Sequence, residues 1–189
     1  IGVLLDEQDM GGPAALADYN RITGFAPAAL TVKDGRLHWA GGEDSKARYV
    51  SVDGVELDAV AYSPFDVMAL AARTNAANIR LDLAYSESAS RRRGEPFSTE
   101  IVIEMAGRGK DGQPLDHRHE IVQPEGQAPL TALGIALAVE RLLGLEGGDA
   151  SAPGLYLPEV LIDPAYYVRR MKEFGAPFTA RPMSAASLS

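Results

Sequence analysis

The sequence predicts an α+β fold: a mixed, largely antiparallel sheet covered by helices, with no Rossmann half. Three observations carry that reading. Several segments alternate apolar and polar residues with period two. Two Asp-Gly pairs sit between such segments, where a tight hairpin needs residues of positive φ. Four further segments carry helical spacing with start or stop signals. The 189 residues suit one domain, expected over residues 1–180, with 181–189 as a flexible tail.

Taken in order, Ile1–Leu5 reads as a strand, and Pro13 opens a short helix over 13–22. Leu30-Thr31-Val32 and Leu37-His38-Trp39 flank Asp34-Gly35, the first hairpin. Tyr49–Val52 and Val55–Leu57 flank Asp53-Gly54, the second. Ser63 and Pro64 start a helix over 64–74, with Phe65, Met68, Leu70 and Ala72 as its apolar positions. Residues 78–85 alternate, with Ile79, Leu81 and Leu83 on one face and Arg80 and Asp82 on the other. Residues 86–97 read as a polar loop. Residues 99–106 alternate again, and 117–122 return alongside them. Residues 129–143 are apolar almost all round, which predicts a buried helix. Its Ala132, Gly134, Ala136 and Ala138 would let neighbours approach closely. Asp163 at N-cap, Pro164 at N1 and Gly175 at C′ bound a last helix.

Composition narrows the function. Hydrophobic residues make up 46% of the chain and charged residues 23%, enough apolar material for a core. A formal net charge of −8 argues against nucleic acid as a partner, because phosphate tracking needs clustered Lys and Arg. With no cysteine, disulfides and thiolate-bound zinc are excluded. No apolar run approaches a membrane span and no signal peptide is visible, so a cytoplasmic protein without membrane contact is expected. The chain opens on Ile1 rather than Met, as if entered mid-protein.

Gly107, Gly109 and Gly112 have the spacing G-x-G-x-x-G of a dinucleotide turn. That motif works only when a helix follows, since the helix N-terminus supplies the free amides that hold pyrophosphate. Here Gln113, Pro114 and the strand HRHEIV follow instead. Lys110-Asp111-Gly112-Gln113 therefore reads as a hairpin, and no cofactor site is expected on this chain.

Few residues remain to carry chemistry. His117 and His119 share a strand face, and a two-residue turn at Asp111-Gly112 would set Glu104 opposite His119. Such a pair could act as base and orienter, or stand as a cross-strand ion pair on a solvated face. No metal site is expected from two His and one carboxylate. Arg91, Arg92 and Arg93 could hold substrate carboxylates through their guanidinium forks, or form a solvated charge run. Thr131 could donate to a substrate or cap its helix. His38 and Trp39 are expected to pack.

From Glu120 onward the order becomes specific. A strand is followed by Leu130-Thr131-Ala132 opening a small-residue helix, then a Gly-rich loop. Pro153-Gly154-Leu155-Tyr156-Leu157-Pro158-Glu159 and Asp163-Pro164 come next. This resembles the C-terminal part of saccharopine dehydrogenase-like oxidoreductases, where a T-A helix precedes a G-v-x-x-P-E turn and a last helix. Val60–Asp66, Ala76–Arg80 and the Gly107–Gly112 hairpin resemble the same family, so the likeness runs from about Val55 to Gly175. It implies a substrate-binding and dimerisation domain. NAD or NADP would be held by a separate N-terminal Rossmann domain of the same protein, and the substrate would be amino-acid-like, oxidised at a C–N bond. A homodimer is implied. His119 and Glu104 would then serve catalysis, and Arg91, Arg92, Arg93 and Thr131 would bind substrate. The residues alone leave two other readings open: a binding or interaction module without catalysis, and a small hydrolase or isomerase using His119 and Glu104.

Overall fold

A curled sheet organises the chain. The computed structural model describes residues 1–9, 11–25, 28–63, 65–109, 111–176 and 178–183. In chain order these form β1 (Gly2–Asp6), α1 (Pro13–Phe25), β2 (Ala28–Lys33), β3 (Arg36–Gly41), β4 (Lys46–Val50) and β5 (Glu56–Ala61). Next come α2 (Asp66–Arg73), β6 (Asp82–Ser86), the one-turn α3 (Ala89–Arg92), β7 (Ser98–Arg108) and β8 (Pro114–Pro124). The chain continues through α4 (Gln127–Leu143), the one-turn α5 (Pro158–Leu161), α6 (Pro164–Glu173) and β9 (Phe178–Pro182). Seven strands pair in the order β4-β5-β6-β1-β7-β8-β9, and β2-β3 stand apart as a hairpin. Only β1 and β6 run parallel, so the α+β class with a mixed, largely antiparallel sheet holds. No helix among the described residues is long and apolar enough to cross a membrane.

Both Asp-Gly hairpins form where expected, with Asp34 and Gly35 at φ 51° and 73° and Gly54 at φ 86°. The Gly107–Gly112 stretch is also a hairpin. β7 and β8 pair without interruption from Ser98↔Pro124 to Arg108↔Pro114, and Gln113 leads into a strand, not a helix. Asp163 caps α6 as its sequence demands, accepting from Tyr166 N at 2.9 Å, and Gly175 follows at φ 90°. Ser63 reaches the start of α2, its Oγ accepting from Val67 N at 3.4 Å, while Pro64 lies outside the described residues.

The register assigns every side chain to one of two faces. One face carries Leu4, Tyr49, Ala59, Ala84 and Val102, a small apolar cluster. This face is concave. The sheet curls until β4 meets β8, and Arg118 Nη2 donates to Val50 O at 2.6 Å and to Ser51 O at 3.3 Å. The opposite face is convex and is covered in two places. At one end α4, α5 and α6 bury Leu133, Leu137, Ile162 and Met171 against Ile101, Ile121 and Phe178. At the other, α2 and β2 bury Val67 and Val32 with Ile79, Leu81 and Val3.

Four expectations change. α4 is not buried all round: only Leu133 and Leu137 are, while Ile135 is 62% and Leu143 60% exposed. Low polarity made the helix look internal, but one stripe alone meets the sheet. α2 buries Val67, and Phe65 and Met68 point outward, because the helix rotates to place Val67, Leu70 and Ala71 on β2. The loop 86–97 is not a solvated excursion, for Ser88, Ala89 and Ser90 are buried. Trp39 is 62% exposed rather than packed. β9 ends at Pro182, and of the tail expected over 181–189, residues 184–189 lie outside the described residues.

Candidate functional site

At one end of the concave face, two buried carboxylates gather the loops. Glu100, the third residue of β7, is fully buried. Its Oε2 accepts from Ser51 Oγ at 2.6 Å, Val52 N at 3.1 Å and Tyr49 Oη at 3.2 Å, and its Oε1 from Ala89 N at 2.7 Å. Asp6, at the C-terminal end of β1, is equally buried. It accepts from Gln8 N at 2.8 Å, Arg91 Nη1 at 2.8 Å and Ser88 N at 2.7 Å. A buried carboxylate is tolerated only when its oxygens are met in this way. Burial works against the charge on Asp6, but bonds from Ser88, Gln8 and Arg91 outweigh it and lower its pKa. Burial first, and Glu100 second, push the Tyr49 phenol far above its ordinary range.

The three arginines enter this framework one by one. Arg91 holds Asp6. Arg92 donates to both oxygens of Asp53 at 2.8 Å, to Ser51 Oγ at 2.7 Å and to Glu87 O. That pair lowers the Asp53 pKa to about 2, the hydrogen bond from Arg92 being the main cause. Arg93 lies half exposed against Glu95 at 2.8 Å. Arg91 and Arg92 thus tie the turn of α3 to β1 and to the β4–β5 turn, and neither forms part of a solvated run.

Further along the concave face, Arg118 is only 2% exposed. It donates to Glu120 at 2.6 Å and Glu104 at 2.8 Å besides the carbonyls of Val50 and Ser51. Arg118 and Arg181 together overcome burial to lower the Glu120 pKa. A cavity of about 80 Å³ lies beside Arg118, Glu104, Tyr49 and Asp82. That is room for a few waters, not for an amino acid.

The expected Glu104–His119 pair does not form. Glu104 stands opposite Arg118, and His119 opposite Ile103. The loop at the hairpin tip spans 109–113 instead of two residues, which slips the pairing by one and sends the two side chains to opposite faces. A reaction that uses both as one dyad loses its geometry. His119 lies on the convex face, stacked on Phe178 at 4.8 Å and beside His117 at 6.2 Å. Its Nδ1 is buried and has no hydrogen-bond partner among the described residues.

By register, Val60, Leu83, Tyr85, Val3, Leu5, Ile101, Ile103, Met105, His117 and His119 share the convex face. Outside the two helical covers parts of this face stay exposed: Tyr85 is 58%, Val60 47% and Met105 38% exposed. Thr131 is elsewhere. Its hydroxyl donates back to Gln127 O at 3.2 Å, and its side chain is on the outer surface of α4. The α4 N-terminus is already filled by Asp9, whose Oδ2 accepts from Gln127 N at 2.8 Å and Thr99 Oγ1 at 2.9 Å. Gly126 is required there. Its φ is 86°, and a Cβ would lie 2.6 Å from the Asp9 carboxylate.

A second hollow, about 320 Å³, lies among α1, the β2–β3 hairpin, β5 and α2, with Trp39, Val60, Tyr62 and Met68 on its walls. No group of three or more potential metal ligands occurs among the described residues.

Sequence reasoning missed Asp6, Glu100 and Arg118, the most buried charges. Their signal is faint, for Glu100 and Arg118 occupy the polar positions of alternating strands and read as solvent-facing. Compared with known proteins, the chain matches no family model and no curated protein.

Proposed function

We propose that this chain is the substrate-binding and dimerisation domain of an NAD(P)-dependent oxidoreductase of the saccharopine dehydrogenase-like type, acting on C–N bonds of amino acids or their imine conjugates. The observation that carries it is the exposed apolar surface that the convex face keeps outside its two helical covers. It has the character of a pocket wall: apolar, shaped by rigid strands, and bearing a few polar groups. His119 lies on this face, stacked on Phe178, and its Nδ1 has no hydrogen-bond partner among the described residues. The nicotinamide would be held by a separate Rossmann domain and would supply the hydride acceptor. This chain's part is to exclude water, orient the substrate and take up the amine proton at His119. Of the three arginines, Arg93 is the most exposed and would be the one to meet a substrate carboxylate. Glu104 is left a positioning partner of Arg118, and Thr131 a surface residue.

The test is the full-length protein, assayed with N-substituted amino acids and NAD or NADP. Turnover is expected, with kcat/KM falling about a hundredfold in His119→Ala and nicotinamide KM unchanged. Absence of any nicotinamide-linked turnover overturns the reading. Turnover that His119→Ala leaves intact removes the role given to His119.

A further inference from the structure

α4 presents a second unpartnered surface, and its sequence specifies what covers it. The side chains opposite Leu133 and Leu137 are Ala128, Thr131, Ala132, Ile135, Ala136, Val139, Leu142 and Leu143, all exposed. None is charged, in a chain of net charge −8. Glu140, on the flank of the stripe, is held by Tyr166 Oη at 2.7 Å and Arg170 at 2.6 Å. A partner docking on this stripe therefore buries no charge.

Within the stripe, Ala128, Ala132, Ile135, Val139 and Leu142 follow one another at spacings of four, three, four and three. That is the seam of a coiled coil. The seam is also graded, small in its N-terminal half and large in its C-terminal half. A parallel copy would set Ala on Ala and leave a gap. An antiparallel copy, in the alternating a-to-d layers such pairs adopt, sets Ala128 against the partner's Val139 and Ala132 against the partner's Ile135. A two-fold axis repeats both contacts, giving four layers with a small residue facing a large one in each. Self-complementary patches of this kind close as dimers.

We propose that the outer face of α4 is a two-fold interface between copies of this chain, the helices packing antiparallel with Ala128 against the partner's Val139. This rests on the assembly part of the reading above, and it specifies the residues. A stable interface covers about 800 Å² per partner, more than one helix of about 25 Å supplies. Leu145, Leu155, Leu157 and Val160, between 57% and 96% exposed on the segment leading from α4 into α5, extend the apolar area.

The chain has no cysteine, so crosslinking tests the register directly. Ala128→Cys combined with Val139→Cys is expected to give a disulfide-linked dimer under mild oxidation. Either single substitution is expected to give far less. Ile135→Glu, at a position exposed in the single chain, is expected to keep the circular dichroism spectrum and to raise the dimer Kd about a hundredfold or more in sedimentation, as an uncompensated buried charge should. A wild-type chain that sediments as a monomer overturns the proposal, as does equal crosslinking in the single and double variants. So does a stripe that binds only another protein or domain. Any of these outcomes leaves the oxidoreductase reading standing, because that reading is judged on turnover.

Discussion

The two faces of the sheet solve opposite problems. The concave face encloses charge. Glu100, Asp6 and Arg118 are buried there, and their hydrogen-bonding atoms meet donors or acceptors from β4, α3 and the neighbouring strands. The convex face does the reverse, exposing apolar side chains such as Tyr85, Val60 and Met105 outside its two helical covers. The difference separates architecture from recognition. Glu100, Asp6 and Arg118 are met inside the chain, so these charges are not left to hold a ligand. Where apolar surface stays uncovered, water is poorly accommodated and a partner or substrate gains by replacing it.

The largest effect is expected on the concave side. Arg118→Ala leaves Glu104 and Glu120 without their shared cation and strips the Val50 and Ser51 carbonyls of a donor. A loss of about 3–5 kcal/mol in unfolding free energy is expected from urea titration. Arg181→Ala, at the exposed end of the same network, should cost under about 1 kcal/mol. A small effect at Arg118 would mean that the curl of the sheet does not depend on it.

The convex side gives an intermediate contrast within one helix. Leu137→Ala removes a fully buried side chain and should cost about 2–5 kcal/mol in thermal or urea unfolding. Ile135→Ala, two residues on the other way, should stay within about 0.5 kcal/mol when measured on the dissociated chain. Equal costs would mean that α4 is covered on both sides within one chain.

The smallest effect is a matter of pH. The Asp53 pKa is depressed to about 2 by Arg92, so its contribution is present in full above the unfolded value near 3.8 and fades as pH falls towards 2. With solvent screening it amounts to about 1 kcal/mol. Asp53→Asn should remove that portion of the acid limb of a stability–pH curve and leave the neutral limb parallel to wild type.

The hairpins, the Asp163 cap and the Gly107–Gly112 turn were legible because each rests on a local rule. Asp-Gly supplies positive φ, Asp before Pro caps a helix, and a strand after the glycines excludes a pyrophosphate cradle. The candidate site was legible only in part. His119 could be placed on a strand, but its face depended on a loop three residues longer than expected. Arg91 and Arg92 could be noticed, but Asp6 and Asp53, 85 and 39 residues away, could not be paired with them.

By itself the sequence determined most of the longer elements, the class of fold and the hairpin at Gly107–Gly112, since these follow from periodicity and from backbone preferences within a few residues. Only the tertiary structure decided which polar face is inside. Alternation tells two faces of a strand apart, but the curl that brings β4 against β8 turns the charged face inward and leaves an apolar one in the open. That choice is made by contacts between residues far apart in the chain, where no local pattern reaches.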